Sequence, residues 1–175
     1  LYHDIGKMNN PNYFIENQLN SFNPHNDLEP LESAKIIKDH ISNGIEIAKK
    51  NRLPDRVIDF IRTHHGTSMI RFFYDKAIKS NLDSNESDFR YFGPKPFSKE
   101  TAIVMMADSI EAASKSIKEP NIKLIENFVD KIINTQIEDN QFENCNITLK
   151  ELNLSKKILK EKLNNIYHLR VEYPD

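Results

Sequence analysis

Apolar residues recur at three- and four-residue steps along most of the chain, a spacing that predicts helices. Between Leu31 and Asn51, the set Leu31, Ala34, Ile37, Ile41, Ile45 and Ala48 keeps to one face. Pro54 stands where a helix start tolerates proline, and it opens a second stripe of Val57, Ile58 and Ile61 that Gly66 ends. Ser98 is the expected N-cap of a helix over 99–116. Ile122, Ile125, Phe128 (or Val129), Ile132 and Ile133 mark another helix. Thr148 and Glu151 have capping-box spacing before a last one carrying Leu152, Leu159, Leu163 and Ile166. Short alternating runs bounded by turns are hard to find, so the chain reads as an all-α helical bundle. Two stretches interrupt it. Residues 9–30 hold Pro11, Pro24 and Pro30 with many Asn, and residues 80–98 include "FRYFGPKPFS". Loops of this length in a compact domain are usually functional, and lids beside a substrate cleft are the preferred reading.

Composition narrows the class. A chain of 175 residues is expected to form one domain, long enough for a real core. Hydrophobic residues make up 38% and charged residues 29%, which suits a globular protein rather than a disordered one. The net charge of -2 argues against a strong nonspecific grip on a nucleic-acid polymer or an anionic membrane. A single cysteine, Cys145, excludes an internal disulfide framework and fits a reducing compartment. No apolar run approaches the roughly 18 to 20 residues that a spanning helix needs.

Several polar residues sit where the pattern calls for apolar ones. In "PDRVIDFIRTHHGT", His65 follows Ile61 by four residues, and His64 follows it by three, so both continue the inward stripe. His40 lies on or beside the face of Ile36, Ile37 and Ile41. Asp108 is the one charge in "TAIVMMADSI", and the pair His3–Asp4 is set among Leu1, Tyr2 and Ile5. A buried carboxylate costs several kcal/mol unless it is paired or bound to a cation. A lone histidine on an apolar face is ordinarily a core residue. Four histidines and two aspartates on inward faces of separate segments instead point to a metal site. His and carboxylate donors suit Mn, Fe, Co, Ni or Zn, and the lack of a cysteine set argues against structural zinc. His25, in the Pro/Asn loop, and His168, near the C-terminus, are read as surface residues.

The order "HD", a lone His, "HH", then Asp in "ADSIEAA" resembles the HD-domain metal-dependent phosphohydrolase superfamily. The opening "HDIGK" resembles its binuclear branch. The cyclic di-GMP phosphodiesterases of that branch fit poorly, because "HHGTSMIRFFY" stands where they carry "HHE" and a Gly-Tyr-Pro motif. "HDIGKMNNPNYFIENQ", "FRYFGPKP", "ADSIEAA" and "DNQFENCNITLKEL" look much more like the bacterial seven-transmembrane HD hydrolases, the PgpH-type cyclic di-AMP phosphodiesterases. The likeness runs from residue 1 to "YHLRVEYP". In that family the metal site begins with a further upstream His, and the domain follows a membrane region. The resemblance thus implies a single HD domain over 1–175 that lacks its first helix, that ligand and its membrane anchor. It also implies a location on the cytoplasmic face of the inner membrane.

Carried over residue by residue, the resemblance implies two divalent metals, iron or manganese, bridged by Asp4. His3, Asp4 and Asp108 would hold one, together with the absent His. Asp4, His40, His64 and His65 would hold the other, and that complete set is expected to bind more tightly. Activity of this chain should be low for the same reason. The implied reaction opens cyclic di-AMP to linear pApA through a metal-bridging hydroxide. Asp4 and Lys7 are the catalytic candidates. Lys7, four residues after His3, is expected to contact the phosphate and neutralise charge in the transition state. Thr67 and Ser68 are candidates to donate hydrogen bonds to the same phosphate, and Tyr13, Phe14, Phe72, Tyr91 and Phe92 to wall the bases. Arg170 is left open between the cleft and a surface pair. Exposed apolar surface would favour self-association as a homodimer. The alternatives are a broader HD phosphohydrolase acting on dNTPs or guanosine tetraphosphate, and a low-turnover nucleotide-binding sensor.

Overall fold

The computed structural model describes residues 1–18 and 23–167, so His168 and Arg170 lie outside the described residues. Six α-helices form among them, with a single isolated antiparallel bridge, Met69 to Arg90. The chain, read above as one domain, divides into two compact units, Leu1–Pro94 and Lys95–Asp175.

The first unit is built on α1 (Pro30–Lys50), α2 (Asp55–Thr63) and α3 (Arg71–Lys79). Helix α1 starts with proline in its first turn and a capping box in which Glu29 and Glu32 satisfy each other's backbone amides. Pro54 is the N-cap of α2 and not its first helical residue. The sequence pattern did not announce α3. Of its nine residues only Phe73 and Ala77 are buried, while Phe72 and Ile78 face solvent, which blurs the stripe. Ala34, Phe73, Ala77 and Phe89 form this unit's small core. Of the region 9–30, expected as loop, the described residues include three short 3-10 turns, Pro11–Tyr13, Ile15–Asn17 and Pro24–Asp27.

Two glycines set the spacing of the first unit. A Cβ on Gly6 would lie 1.8 Å from the His40 carbonyl oxygen, so the N-terminal segment rests directly on the α1 backbone. A Cβ on Gly44 would meet Ile61 of α2 at 2.9 Å and the Gly6 nitrogen at 3.3 Å. Only side chains reduced to hydrogen allow these approaches.

The second unit holds α4 (Lys99–Ser114), α5 (Ile122–Glu138) and α6 (Leu149–Ile166). Both predicted caps are present. Ser98 accepts from the Thr101 amide at the start of α4, and Thr148 pairs with Glu151 at the start of α6. Its core joins Met105, Met106 and Ile110 of α4 to Ile125, Val129 and Ile133 of α5 and to Leu152 and Leu163 of α6. Val129 is the fully buried member of the ambiguous Phe128/Val129 pair. Among the described residues, no helix is long and apolar enough to cross a membrane.

Candidate metal centre

Within the first unit, three segments bring their polar residues to one point. The N-terminal segment supplies His3 and Asp4 just before a 3-10 turn (Ile5–Asn9), α1 supplies His40, and the C-terminal end of α2 supplies His64 and His65. One ligand atom from each of Asp4, His40, His64 and His65 falls within 4.8 Å of all the others. Helix α2 ends at Thr63, so His64 is its C-cap and His65 follows in the turn closed by Gly66. Gly66 sits at φ 52°, the left-handed conformation that glycine adopts without strain.

The backbone fixes which face of two imidazoles is presented. His40 Nδ1 donates to the Ile37 carbonyl, and His64 Nδ1 donates to the Ile61 carbonyl at 2.8 Å. A carbonyl only accepts, so each Nδ1 carries the hydrogen, and in the neutral ring each Nε2 is left with a bare lone pair. These two Nε2 atoms face each other at 3.2 Å. Asp4 Oδ1 lies 3.4 Å from His64 Nε2 and 3.5 Å from His40 Nε2, is buried, and has no hydrogen-bond donor. Three acceptors aimed at one another fit a bound cation.

Burial pushes His40 down to about 4, helped by the neighbouring His64. Burial also holds His65 well below its usual value, again with His64 and His40 adding to the effect. For Asp4, burial is the largest influence and pushes its carboxyl up. His3, His64 and Lys7 together outweigh that and hold it well below the usual carboxylate range. His40 and His65 are therefore held neutral and Asp4 ionised, the forms that bind metal.

The remaining predicted residues stand around this centre in different ways. His3 Nε2 lies 3.2 Å from Asp4 Oδ2, and its ring packs edge-on against His64. Lys7 was expected one α-turn from His3. The segment instead winds as a 3-10 turn, which brings Lys7 to Asp4, three residues back, with Nζ 2.9 Å from Asp4 Oδ2. Lys7 also reaches Glu16 at 2.5 Å. Burial lowers Lys7, but Glu16 and Asp4 more than offset it and hold the ammonium above its ordinary value. The Ser68 hydroxyl donates to the His65 carbonyl at 2.7 Å, and the Thr67 carbonyl accepts from Arg90 at 3.0 Å. Asp108 belongs to the second unit, half-buried in the middle of α4.

Among the aromatic candidates, Tyr91 stacks on His65 with ring centres 4.2 Å apart, and Phe14 packs edge-on against His40. Phe72 and Phe92 are exposed. His25 is a correction to the sequence reading: it is buried, not at the surface. Its Nε2 donates to the Tyr13 carbonyl at 2.9 Å, and its ring lies against Tyr13 and Phe73. The two aromatic rings give a loop histidine an apolar cage that no local pattern announced. Glu16 and the Gly6–Gly44 contact also escaped sequence reasoning.

The chain is similar along its whole length to two curated relatives. It is 47% identical over 175 residues to the cyclic-di-AMP phosphodiesterase PgpH of Listeria monocytogenes serotype 1/2a (strain 10403S), covering all of this chain and 24% of that protein. It is 45% identical over 174 residues to the PgpH of Bacillus subtilis (strain 168), again over 24% of that protein. The chain thus spans about a quarter of the length of these curated relatives. Among solved structures, the L. monocytogenes phosphodiesterase PgpH HD domain superposes with a TM-score of 0.89 at 46% identity, over 95% of this chain and 78% of that one. The same domain in complex with cyclic-di-AMP gives 0.91 at the same identity and coverage. The family model described as HD domain matches residues 1–113, which take in His3, Asp4, His40, the His64–His65 pair and Asp108. By that match the chain belongs to the HD domain family.

Proposed function

We propose that this chain is the hydrolytic domain of a phosphodiesterase that opens cyclic di-AMP to linear pApA. The observation that carries the reading is the set of facing acceptors, Asp4 Oδ1 with the Nε2 atoms of His40 and His64, in a chain that resembles a domain crystallised with that nucleotide. Asp4, His40, His64 and His65 would hold one divalent metal. His3 and Asp4, with Asp108 assigned by resemblance alone, would serve a second. The donor set suits iron or manganese. Metals bound there supply Lewis acidity toward a phosphoryl oxygen and lower the pKa of a bound water.

The chain's own residues have distinct tasks. Asp4 stays ionised and acts as the shared carboxylate. The Ile37 and Ile61 carbonyls lock His40 and His64 in the tautomer that points Nε2 inward. Tyr91 braces the ring of His65. Lys7 keeps a positive charge at the edge of the cluster, where it meets the anionic phosphodiester and the charge that grows on it. Thr67 and Ser68, in the turn after the His pair, offer further polar groups to the phosphate. Following the resemblance, the reading assigns the domain to a larger protein anchored at the cytoplasmic face of a bacterial inner membrane, with dimerisation as a further expectation.

The test is hydrolysis by metal-loaded protein, with products separated by chromatography. Manganese- or iron-loaded chain is expected to convert cyclic di-AMP to pApA faster than it converts cyclic di-GMP. Equal or reversed rates reject the specificity, and release of phosphate or pyrophosphate from dNTPs or guanosine tetraphosphate would move the protein to the broader nucleotide phosphohydrolases. Tight nucleotide binding without product would make it a sensor.

A further inference from the structure

Lys7 is shared between two carboxylates, and only one belongs to the ligand set. Its Nζ lies 2.9 Å from Asp4 Oδ2 and 2.5 Å from Glu16 Oε1. Its ammonium also lies over the Phe14 ring, 5.1 Å from the centroid, and Phe14 is buried with its ring against His40. The ammonium is therefore held at the rim of the cluster by an acid nine residues further along, in the 3-10 turn Ile15–Asn17.

That arrangement resolves an electrostatic problem. A cation taken up by Asp4 and an ammonium on the same carboxylate compete for one negative charge and repel each other. With Asp4 as its only partner, Lys7 would either stay and oppose the metal or swing into water and leave the phosphate without a positive neighbour. A second acid allows a third state, in which Lys7 remains at the rim while Asp4 turns to the cation. We propose that Glu16 is a positioning residue that draws Lys7 off Asp4 and keeps its ammonium beside the ligand cluster. The inference rests on the reading of Lys7 as a phosphate-binding group.

A double-mutant cycle on the 175-residue chain tests it, using Glu16→Gln, Lys7→Met and the pair, with Mn2+ affinity measured by titration calorimetry. Glu16→Gln is expected to weaken Mn2+ binding about tenfold when Lys7 is present and less than about threefold when it is Met, since contacting charges couple. Lys7→Met alone should bind Mn2+ at least as tightly as the parent. In turnover of cyclic di-AMP at saturating Mn2+, Glu16→Gln should raise KM only in the presence of Lys7, and Glu16→Asp should recover part of the loss. Glu16→Ala repeats the cycle without the amide's hydrogen bonds. Equal losses of Mn2+ affinity in both backgrounds would overturn the assignment, as would a parent chain that binds no Mn2+. The expected Mn2+ coupling in a chain that leaves cyclic di-AMP intact would support Glu16 as the positioning acid and reject the substrate instead.

Discussion

Replacing Gly6 by alanine is the sharpest test of how this centre is held. The new Cβ would stand 1.8 Å from the His40 carbonyl oxygen and 2.4 Å from the Gly44 nitrogen, both backbone atoms of α1. Ordinary carbon–oxygen contact is about 3.4 Å, so the N-terminal segment must retreat by about 1.5 Å. Asp4 lies two residues away and must follow, whereas ligand distances tolerate only about 0.2 Å. Disturbing the support of a ligand typically costs about 10- to 100-fold in metal affinity, and the upper end is expected here. Overpacking of this kind costs about 3 kcal/mol. At about 2–4 °C per kcal/mol for a chain of this size, the metal-free melting temperature should fall by about 6–12 °C. Gly44→Ala is the built-in comparison, because its Cβ meets the Ile61 γ2 methyl at 2.9 Å and no backbone atom nearer than 3.3 Å. It should lose less on both counts. Calorimetric Mn2+ titration and thermal melts read the two quantities. A Gly6→Ala protein with Mn2+ affinity and melting temperature both unchanged would refute the close-approach account.

Three further outcomes are expected. Asp4→Asn should abolish retention of transition metal, measured by mass spectrometry after reloading with manganese or iron, and near-parental retention would remove Asp4 from the ligand set. Asp108→Ala should leave the tighter Mn2+ binding step within about threefold and eliminate the weaker one, because Asp4, His40, His64 and His65 hold the tighter ion without it; loss of the tighter step would contradict the division into a complete and an incomplete set. Burial pulls His25 below its ordinary value of 6.5, so the folded protein keeps it neutral while the unfolded chain takes up a proton below that pH. Its contribution is full above pH 6.5 and is lost as pH falls toward the folded value. Urea midpoints should therefore drop more between pH 7 and pH 5.5 in the parent than in His25→Gln (two conditions chosen to bracket the lower side of 6.5), and parallel declines would exclude His25 as a source.

What could be read in the sequence was whatever depends on periodicity. Ser98 and Thr148 announce their helices because a cap is a local bond between residues three apart. His40, His64 and Asp108 stood out because each interrupts an apolar stripe. Helix α3 was not legible, since Phe72 and Ile78 put apolar side chains on its solvent face. Glu16 was not legible either, because it meets Lys7 across nine residues of irregular turns in which no period exists. The closeness of Gly6 to Gly44 is a backbone contact across 38 positions, and composition says nothing about which glycines will touch. The stacking of Tyr91 on His65 depends on Met69 and Arg90 pairing their backbones, a single bridge too short to leave an alternating pattern.

The same facing acceptors predict that the native state gains stability from a bound metal. Asp4 Oδ1 is buried with no donor, and the Nε2 atoms of His40 and His64 present lone pairs to each other at 3.2 Å. An unmet buried acceptor costs roughly 1–3 kcal/mol, and a cation satisfies these together. Metal should therefore bind the native state and stabilise it. At a free Mn2+ concentration one hundred times Kd, the gain is about 2.7 kcal/mol. For a chain of this length, that predicts a rise of about 5–11 °C in melting temperature over protein in chelator. Mg2+ at the same concentration should give much less, because it prefers oxygen and water to imidazole. Asp4→Asn should flatten the Mn2+ response, because it removes the charge on which the other donors converge. A parent protein whose melting temperature ignores saturating Mn2+, Fe2+ and Zn2+ alike would mean that the facing lone pairs are held apart by something other than a metal.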